Sequence, residues 1–145
     1  MIGLLQRVTE ASVRAGDERL AQIGPGLLVL VGIEKTDTAA HADRLLERLL
    51  GYRVFEDAEG RMNRSLRDTG GALLLVPQFT LVADTQRGTR PGFSNGAPPA
   101  QAAVLFARLV DSARAVHAEV GCGRFGADMA VSLTNWGPVT FWLRA

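Results

Sequence analysis

Hydrophobic and polar positions alternate or cluster over short distances through most of the chain, and only two stretches carry helical spacing. Met1 to Val8 is apolar until it meets Arg7, and Ala11 to Ala15 alternates, with Val13 between Ser12 and Arg14. Gly16-Asp17 punctuates, so Glu18 to Ile23 reads as the return strand of a hairpin. After the turn Gly24-Pro25-Gly26, the β-branched and leucine-rich run Leu27 to Ile33 predicts a buried strand. Tyr52 to Phe55 predicts a short strand and Asp57 to Gly60 a turn. Ala72 to Val76 and Phe79 to Val82 predict strand broken at Pro77, because proline removes a ladder donor. Met129 to Leu133 and Val139 to Leu143 predict the last two strands, joined by Thr134 to Pro138.

The first helical stretch follows a cap at Thr36 or Asp37. Ala42, Leu45, Leu46, Leu49 and Leu50 recur on one face, Asp43, Arg44, Glu47 and Arg48 lie on the other, and Gly51 ends it. The second opens at Pro98-Pro99 and runs through Ala118, with Val104, Leu105, Leu109, Ala113 and Val116 as its apolar face. Between them, Asp84 to Pro99 is a loop of about sixteen residues, long enough to expect function from it. Strands dominate, with two main helices packed on a mainly antiparallel, barrel-like sheet, and no repeat or linker divides residues 1–145. The expected architecture is one α+β domain.

With 145 residues, 47% of them apolar and 21% charged, the chain is a globular protein that needs no metal or disulfide to fold. The net charge of +1 neither demands nor excludes a nucleic-acid partner, since a local basic patch suffices. The single cysteine, Cys122, allows no internal disulfide, and it reads as a packed small residue. The apolar run Gly26 to Ile33 is too short to span a bilayer, and the N-terminus lacks the basic lead of a signal peptide. A cytoplasmic protein is expected.

Much common chemistry is missing. His41 and His117, the two histidines, fall on the predicted helices as solvent-facing residues, outside any metal-ligand spacing. There is no phosphate loop, nucleophile elbow or Cys-x-x-Cys, so neither metal nor cofactor is expected. A catalyst on this chain would work by positioning and electrostatics.

Three segments are unusual for a plain core: Pro77-Gln78-Phe79-Thr80-Leu81; Gly88-Thr89-Arg90-Pro91-Gly92-Phe93; and Gly123-Arg124-Phe125-Gly126-Ala127-Asp128-Met129, followed by Asn135-Trp136-Gly137-Pro138-Val139-Thr140. With the opening Leu5-Gln6-Arg7-Val8, in this order from one end of the chain to the other, the sequence resembles the D-aminoacyl-tRNA deacylase family. The resemblance implies an esterase that removes D-amino acids, and glycine mischarged on tRNA-Ala, from the 3′ end of tRNA. It implies a homodimer with two sites at the subunit interface. Gln78, Phe79 and Thr80 would line the catalytic site. Gly137 and Pro138, joined by a cis bond, would reach into the partner's site, with Arg7 holding the pair. Phe125 and Met129 would hold the terminal adenosine. Three positions depart from the family's pattern: Pro77 and Gly92 stand where serine is common, and Trp136 where aspartate is. Proline has neither N–H nor hydroxyl, so no role of that first serine carries over.

The residues themselves leave several roles open. Backbone N–H groups of Phe79 and Thr80 could face a developing oxyanion, where one donor is typically worth about 100- to 1,000-fold in rate. The Thr80 hydroxyl could orient, donate or attack; attack ranks lower because no base is evident, and the family's use of the substrate's own 2′-OH would account for that. L and D substrates carry the same groups in mirrored positions, so a rigid wall where an L side chain must go discriminates better than attraction. Arg61, Arg64, Arg67, Arg87 and Arg90 are candidate phosphate contacts. The rival readings are a non-catalytic nucleic-acid-binding dimer on the same fold, and a structural dimer glued by the Gly-Pro loop.

Overall fold

The computed structural model describes residues 1–145. In chain order the elements are β1 (Ile2–Ala15), β2 (Glu18–Ile23), β3 (Gly26–Gly32), α1 (Ala39–Gly51), β4 (Phe55–Glu56), β5 (Met62–Arg64), the one-turn α2 (Leu66–Thr69), β6 (Ala72–Pro77), a 3-10 turn (Phe79–Val82), α3 (Pro99–Val116), β7 (Val120–Cys122) and β8 (Ala130–Arg144). The expected α+β architecture is present. Six strands form one sheet in the order β2-β1-β3-β6-β7, with β8 along the other edge of β1. β4 and β5 form a separate small ribbon.

β1 organises the sheet. Its first half pairs with β3, its second half with β2, and its opposite edge with β8 over nearly its full length. These pairings are antiparallel, but β3–β6 and β6–β7 are parallel, so the sheet is mixed. Parallel neighbours need a long crossover. α1 and the segment after it supply one, and α3 supplies the other. The far edges curl toward each other: a Cβ added to Gly121 on β7 would lie 2.9 Å from the Ala21 side chain on β2. The result is a nearly closed, barrel-like sheet. One face and the two main helices enclose the larger core, built from Leu5, Leu27, Val29, Leu45, Leu49, Leu73, Leu75 and Leu109 among others. A smaller core lies inside the curl, around Val13, Ile23, Leu28 and Leu74. The buried polar side chains Arg7, Asp37 and Ser65 all have partners.

Several local expectations are corrected. Phe79–Val82 is a 3-10 turn and no strand, because the chain leaves the sheet directly after Pro77. The two final strands are one continuous strand of 15 residues, β8, held by the length of its pairing with β1. The cap of α1 is Thr38, in a capping box with His41, and α3 ends at Val116. His117 caps that end, with Nε2 2.7 Å from the Gly71 carbonyl oxygen, so it is no free surface histidine. Leu105, Leu109 and Ala113 are buried as their spacing predicts, but Val104 and Val116 face solvent at the rims of the stripe. β5, β7 and α2 have too few residues to carry a periodic signal.

Candidate active site

Parallel strands β3 and β6 both end at the same rim. Pro77 is the last residue of β6 and pairs with Val31, and the Gln78 N–H then donates to the Val31 carbonyl at 2.8 Å. Without an amide hydrogen at Pro77, the chain turns out of the sheet into the 3-10 turn. The first hydrogen bond of that turn runs from Leu81 N–H to the Gln78 carbonyl, so the N–H groups of Phe79 and Thr80 precede it. They lie directly after the end of β6; Phe79 lines an open cavity, and Thr80 is outside its lining.

That cavity has a volume of about 500 Å³ and is lined by Pro77, Gln78, Phe79, Phe93, Phe125 and Met129, with the floor supplied by β3 and the start of α3. It therefore brings together four of the residues singled out from the sequence: Gln78, Phe79, Phe125 and Met129. The wall from Phe125 to Met129 comes up against β6. Gly123 makes this possible, since a Cβ there would meet the Met129 sulfur at 2.8 Å and Pro77 at 3.1 Å. The lining is apolar and aromatic, and Asp128 is its only ionisable side chain. Nothing in this arrangement offers three His, Cys, Asp or Glu side chains to a metal.

Thr80 stands beside Gln78, whose amide Nε2 donates to the Thr80 hydroxyl oxygen. With its oxygen accepting, the hydroxyl hydrogen is left to point elsewhere. No histidine or carboxylate hydrogen-bonds this hydroxyl, so the geometry favours a donor over a nucleophile.

Arg7, Gly137 and Pro138 form a second group. They do not line the cavity of their own chain. The register of β1 with β8 slips here: Gln6 pairs with Thr140 and Val8 with Asn135, so residues 136–139 bulge opposite Arg7. Arg7 is 6% exposed and fills the space under the bulge. Its Nε donates to the Trp136 carbonyl at 3.0 Å, its Nη1 to the Val54 carbonyl at 2.7 Å, and its Nη2 lies 3.8 Å from Glu56. The Asn135 side chain closes the bulge, accepting from Val139 N–H at 2.8 Å and donating to the Thr140 hydroxyl at 2.7 Å. The Gly137-Pro138 peptide bond is cis, and both residues face solvent. Arg7→Lys keeps the charge but cannot span both carbonyls. It is expected to lower stability by about 1.5–3 kcal/mol, the range for losing a hydrogen bond to a charged group. Thermal or urea unfolding checks this, and a stability within about 0.5 kcal/mol of the parent would show that Arg7 does not secure the bulge.

The candidate phosphate ligands differ in availability. Arg61 is held by Asp57 at 3.3 Å and Glu59 at 3.2 Å. The Arg61 N–H, first among several donors, holds the Asp57 carboxyl below its ordinary range. Arg64 donates to the Asp68 carbonyl at 2.8 Å. Arg67, Arg87 and Arg90 are exposed. Phe93, Asp128 and Asn135 belong to segments that stood out in the sequence, but no local pattern assigns them a place. Phe93 and Asp128 reach the cavity only through folding, and Asn135 acts only because the register slips.

The profile of the family described as D-Tyr-tRNA(Tyr) deacylase matches residues 4–144. A protein of Thioalkalivibrio sulfidiphilus named D-aminoacyl-tRNA deacylase is 61% identical over 143 residues, covering 99% of this chain and 96% of that one. One of Cronobacter sakazakii with the same name is 58% identical over 144 residues, 99% of each. Among solved structures, the c-Myc DNA Unwinding Element Binding Protein superposes with a TM-score of 0.95 at 36% identity, covering 100% of this chain and 99% of its own. A probable eukaryotic D-amino acid tRNA deacylase superposes at 0.84 and 19% identity over 99% of this chain and 98% of its own, a likeness of fold.

Proposed function

Because this chain belongs to the D-Tyr-tRNA(Tyr) deacylase family, we propose that it is a hydrolase of the ester bond of D-aminoacyl-tRNA, acting in the cytoplasm as a homodimer in translation quality control. Water adds to the ester carbonyl carbon, the tetrahedral intermediate collapses, and the bond to the 3′ oxygen breaks. Free tRNA and the D-amino acid leave. In this reading Phe125 and Met129 hold the terminal adenosine in the cavity. The Phe79 and Thr80 N–H groups and the Thr80 hydroxyl face the developing oxyanion. No protein base is required, because the substrate's own 2′-OH can assist the attacking water.

The observation that carries the reading is the pairing of Gln78, which lines the apolar cavity, with Thr80, whose hydroxyl has no base beside it. Thr80→Val removes that donor at similar volume. It is expected to slow D-tyrosyl-tRNA deacylation by roughly 100- to 1,000-fold while leaving measurable turnover. A covalent acyl-Thr80 species, trapped by acid quench and seen by mass spectrometry, would instead make Thr80 the nucleophile.

Two features support a dimer. β8 offers 15 residues whose outer edge has no strand partner, an invitation to pairing. Trp136 and Trp142 on it are 60% and 59% exposed. A second copy would also give Gly137 and Pro138 a site to face. Held from below by Arg7 and Asn135, the pair is then a rigid wall that excludes an L side chain, admits D side chains of varied size, and admits glycine. Glycyl-tRNA turnover follows from exclusion alone.

The name of the c-Myc DNA Unwinding Element Binding Protein favours a second reading, a nucleic-acid-binding dimer without turnover. Mixing the protein with D-tyrosyl-, L-tyrosyl- and glycyl-tRNA separates them. Deacylation of the first and third, with the second spared, supports the esterase; binding of all three without hydrolysis supports the module.

A further inference from the structure

The long loop after the 3-10 turn has no part in the chemistry at Gln78 and Thr80, yet it is firmly built at its base. Asp84 and Gly92 exchange backbone hydrogen bonds of 2.7 and 2.9 Å. Gly96 N–H donates to the Phe93 carbonyl, Ala97 N–H to Ile33, and Lys35 N–H to Asn95. Phe93 therefore sits between anchored points at the cavity mouth. Its ring lies 5.1 Å from that of Phe79 at an angle of 48°. Both rings are exposed, Phe93 by 44% and Phe79 by 65%, an unusual investment for a protein whose other phenylalanines are packed.

The charge on the same loop is also unspent. Of the sixteen basic side chains, most are engaged within the chain, either by carboxylates or by carbonyl, amide or thiol partners. Lys35, Arg67, Arg87 and Arg90 have neither kind of partner. Arg87 and Arg90 project from this loop, and Lys35 lies on the segment bonded to its far end. The carboxylates nearby are Asp84, which accepts from the Gln86 N–H, Asp128 at the cavity, and Glu34, which bridges to Gly96 and is itself paired with Arg144. An aromatic face with free cations around it, continuous with a cavity for a nucleoside, suits unpaired nucleotides: stacking needs a base out of its duplex, and the phosphates between bases need the cations.

We infer that the segment from Asp84 to Gly96 is the docking surface for the single-stranded 3′ end of tRNA, an inference that rests on the esterase reading for the identity of the RNA. The terminal nucleotide enters the cavity, the preceding base stacks on the exposed face of Phe93, and Arg87, Arg90 and Lys35 hold the adjoining phosphates.

The test separates docking from hydrolysis. A fluorescein-labelled single-stranded RNA ending in CCA reports binding by anisotropy, and kinetics are compared for D-tyrosyl-tRNA and for 3′-D-tyrosyl-adenosine, which lacks all upstream nucleotides. Arg87→Ala with Arg90→Ala is expected to weaken oligonucleotide binding and to flatten its log–log salt dependence by about 1.4, or roughly 0.7 per phosphate contact on a single strand. Phe93→Ala is expected to weaken it by about 5- to 150-fold, the worth of one stacked base, with Phe93→Tyr restoring it. In both variants KM should rise at least about 5-fold more for the tRNA than for the adenosine ester. Unchanged oligonucleotide binding would overturn the proposal. So would equal losses on the two esters, which would confine Phe93 to the nucleoside cavity, or equally tight binding of a blunt RNA duplex, which would make the partner a helix backbone. If the parent protein binds the oligonucleotide but hydrolyses neither ester, the esterase reading fails while the docking surface stands.

Discussion

Gly137→Ala is expected to lower kcat/KM for D-tyrosyl-tRNA by about 100-fold or more, the usual effect of misplacing a site-shaping group by an ångström. Gly137 has φ +130°, a backbone conformation that L side chains rarely adopt. A Cβ there would lie 2.7 Å from Val139 Cγ2, 3.2 Å from the Val139 nitrogen and 3.0 Å from Arg7 Nη2. Arg7 could yield only by giving up its carbonyl partners. Val139 is a buried, β-branched core residue with little freedom to turn. The bulge itself must therefore move. Its neighbours on β8 are held by pairing with β1, so the damage should stay local and the variant should remain folded. A mixing experiment tests where the effect acts. If the cavity of one subunit uses Gly137 of the other, dimers of Gly137→Ala with Thr80→Val carry one intact site and one doubly defective site. Equal mixing with subunit exchange should then recover about a quarter of parental activity, since half the dimers are hybrids with one working site each. No recovery, with hybrids demonstrated by mass, would place Gly137 and Thr80 in the same subunit's site.

Gly26→Ala should produce the largest loss of stability, about 3–5 kcal/mol, at the upper end for a single overpacking substitution. Gly26 pairs with Ala72 at the start of the parallel β3–β6 ladder. A Cβ would lie 2.0 Å from the Ala72 carbonyl oxygen and 2.7 Å from its carbonyl carbon and nitrogen. These are backbone atoms of a central strand, so no rotamer change relieves the overlap, and the two strands must separate. The site would feel this only indirectly, since the cavity lies at the other end of the same strands. For a domain of this size the melting temperature should fall by roughly 10 °C or more. Gly51→Ala is the control: it ends α1 with nothing within 4 Å of an added Cβ, and should be neutral or slightly stabilising. Equal melting temperatures for the two variants would show that the β3–β6 approach is looser than these distances.

How much of the fold is legible in the sequence depends on the range of the interaction behind each element. The helical stripe of Ala42, Leu45, Leu46, Leu49 and Leu50 and the apolar run of β3 are local signals, and both elements formed where expected. Val104 and Val116 misled because spacing gives the centre of a stripe and not its width, which the opposing surface sets. Proline at 77 marked a break, but the path beyond a break is decided by where the chain can go, and here it turns out of the sheet. The segments around Gln78, Arg90, Phe125 and Gly137 were conspicuous as motifs, and motifs are local.

By itself, then, the sequence determined the mixed class, the two main helices, most strands, and the segments from which a site would be assembled. Each rests on neighbours a few residues apart, whose periodicity and turn chemistry act before the fold exists. The tertiary structure decided the rest. It joined residues 130–144 into one strand, because β1 offers an edge long enough to pair with all of it. It made β3, β6 and β7 parallel by laying α1 and α3 between them. It brought Phe93 and Phe125 to Gln78, and it placed Arg7 under a bulge 129 residues away in the chain. No local pattern encodes such meetings, since they depend on which surfaces remain to be buried once the elements have formed.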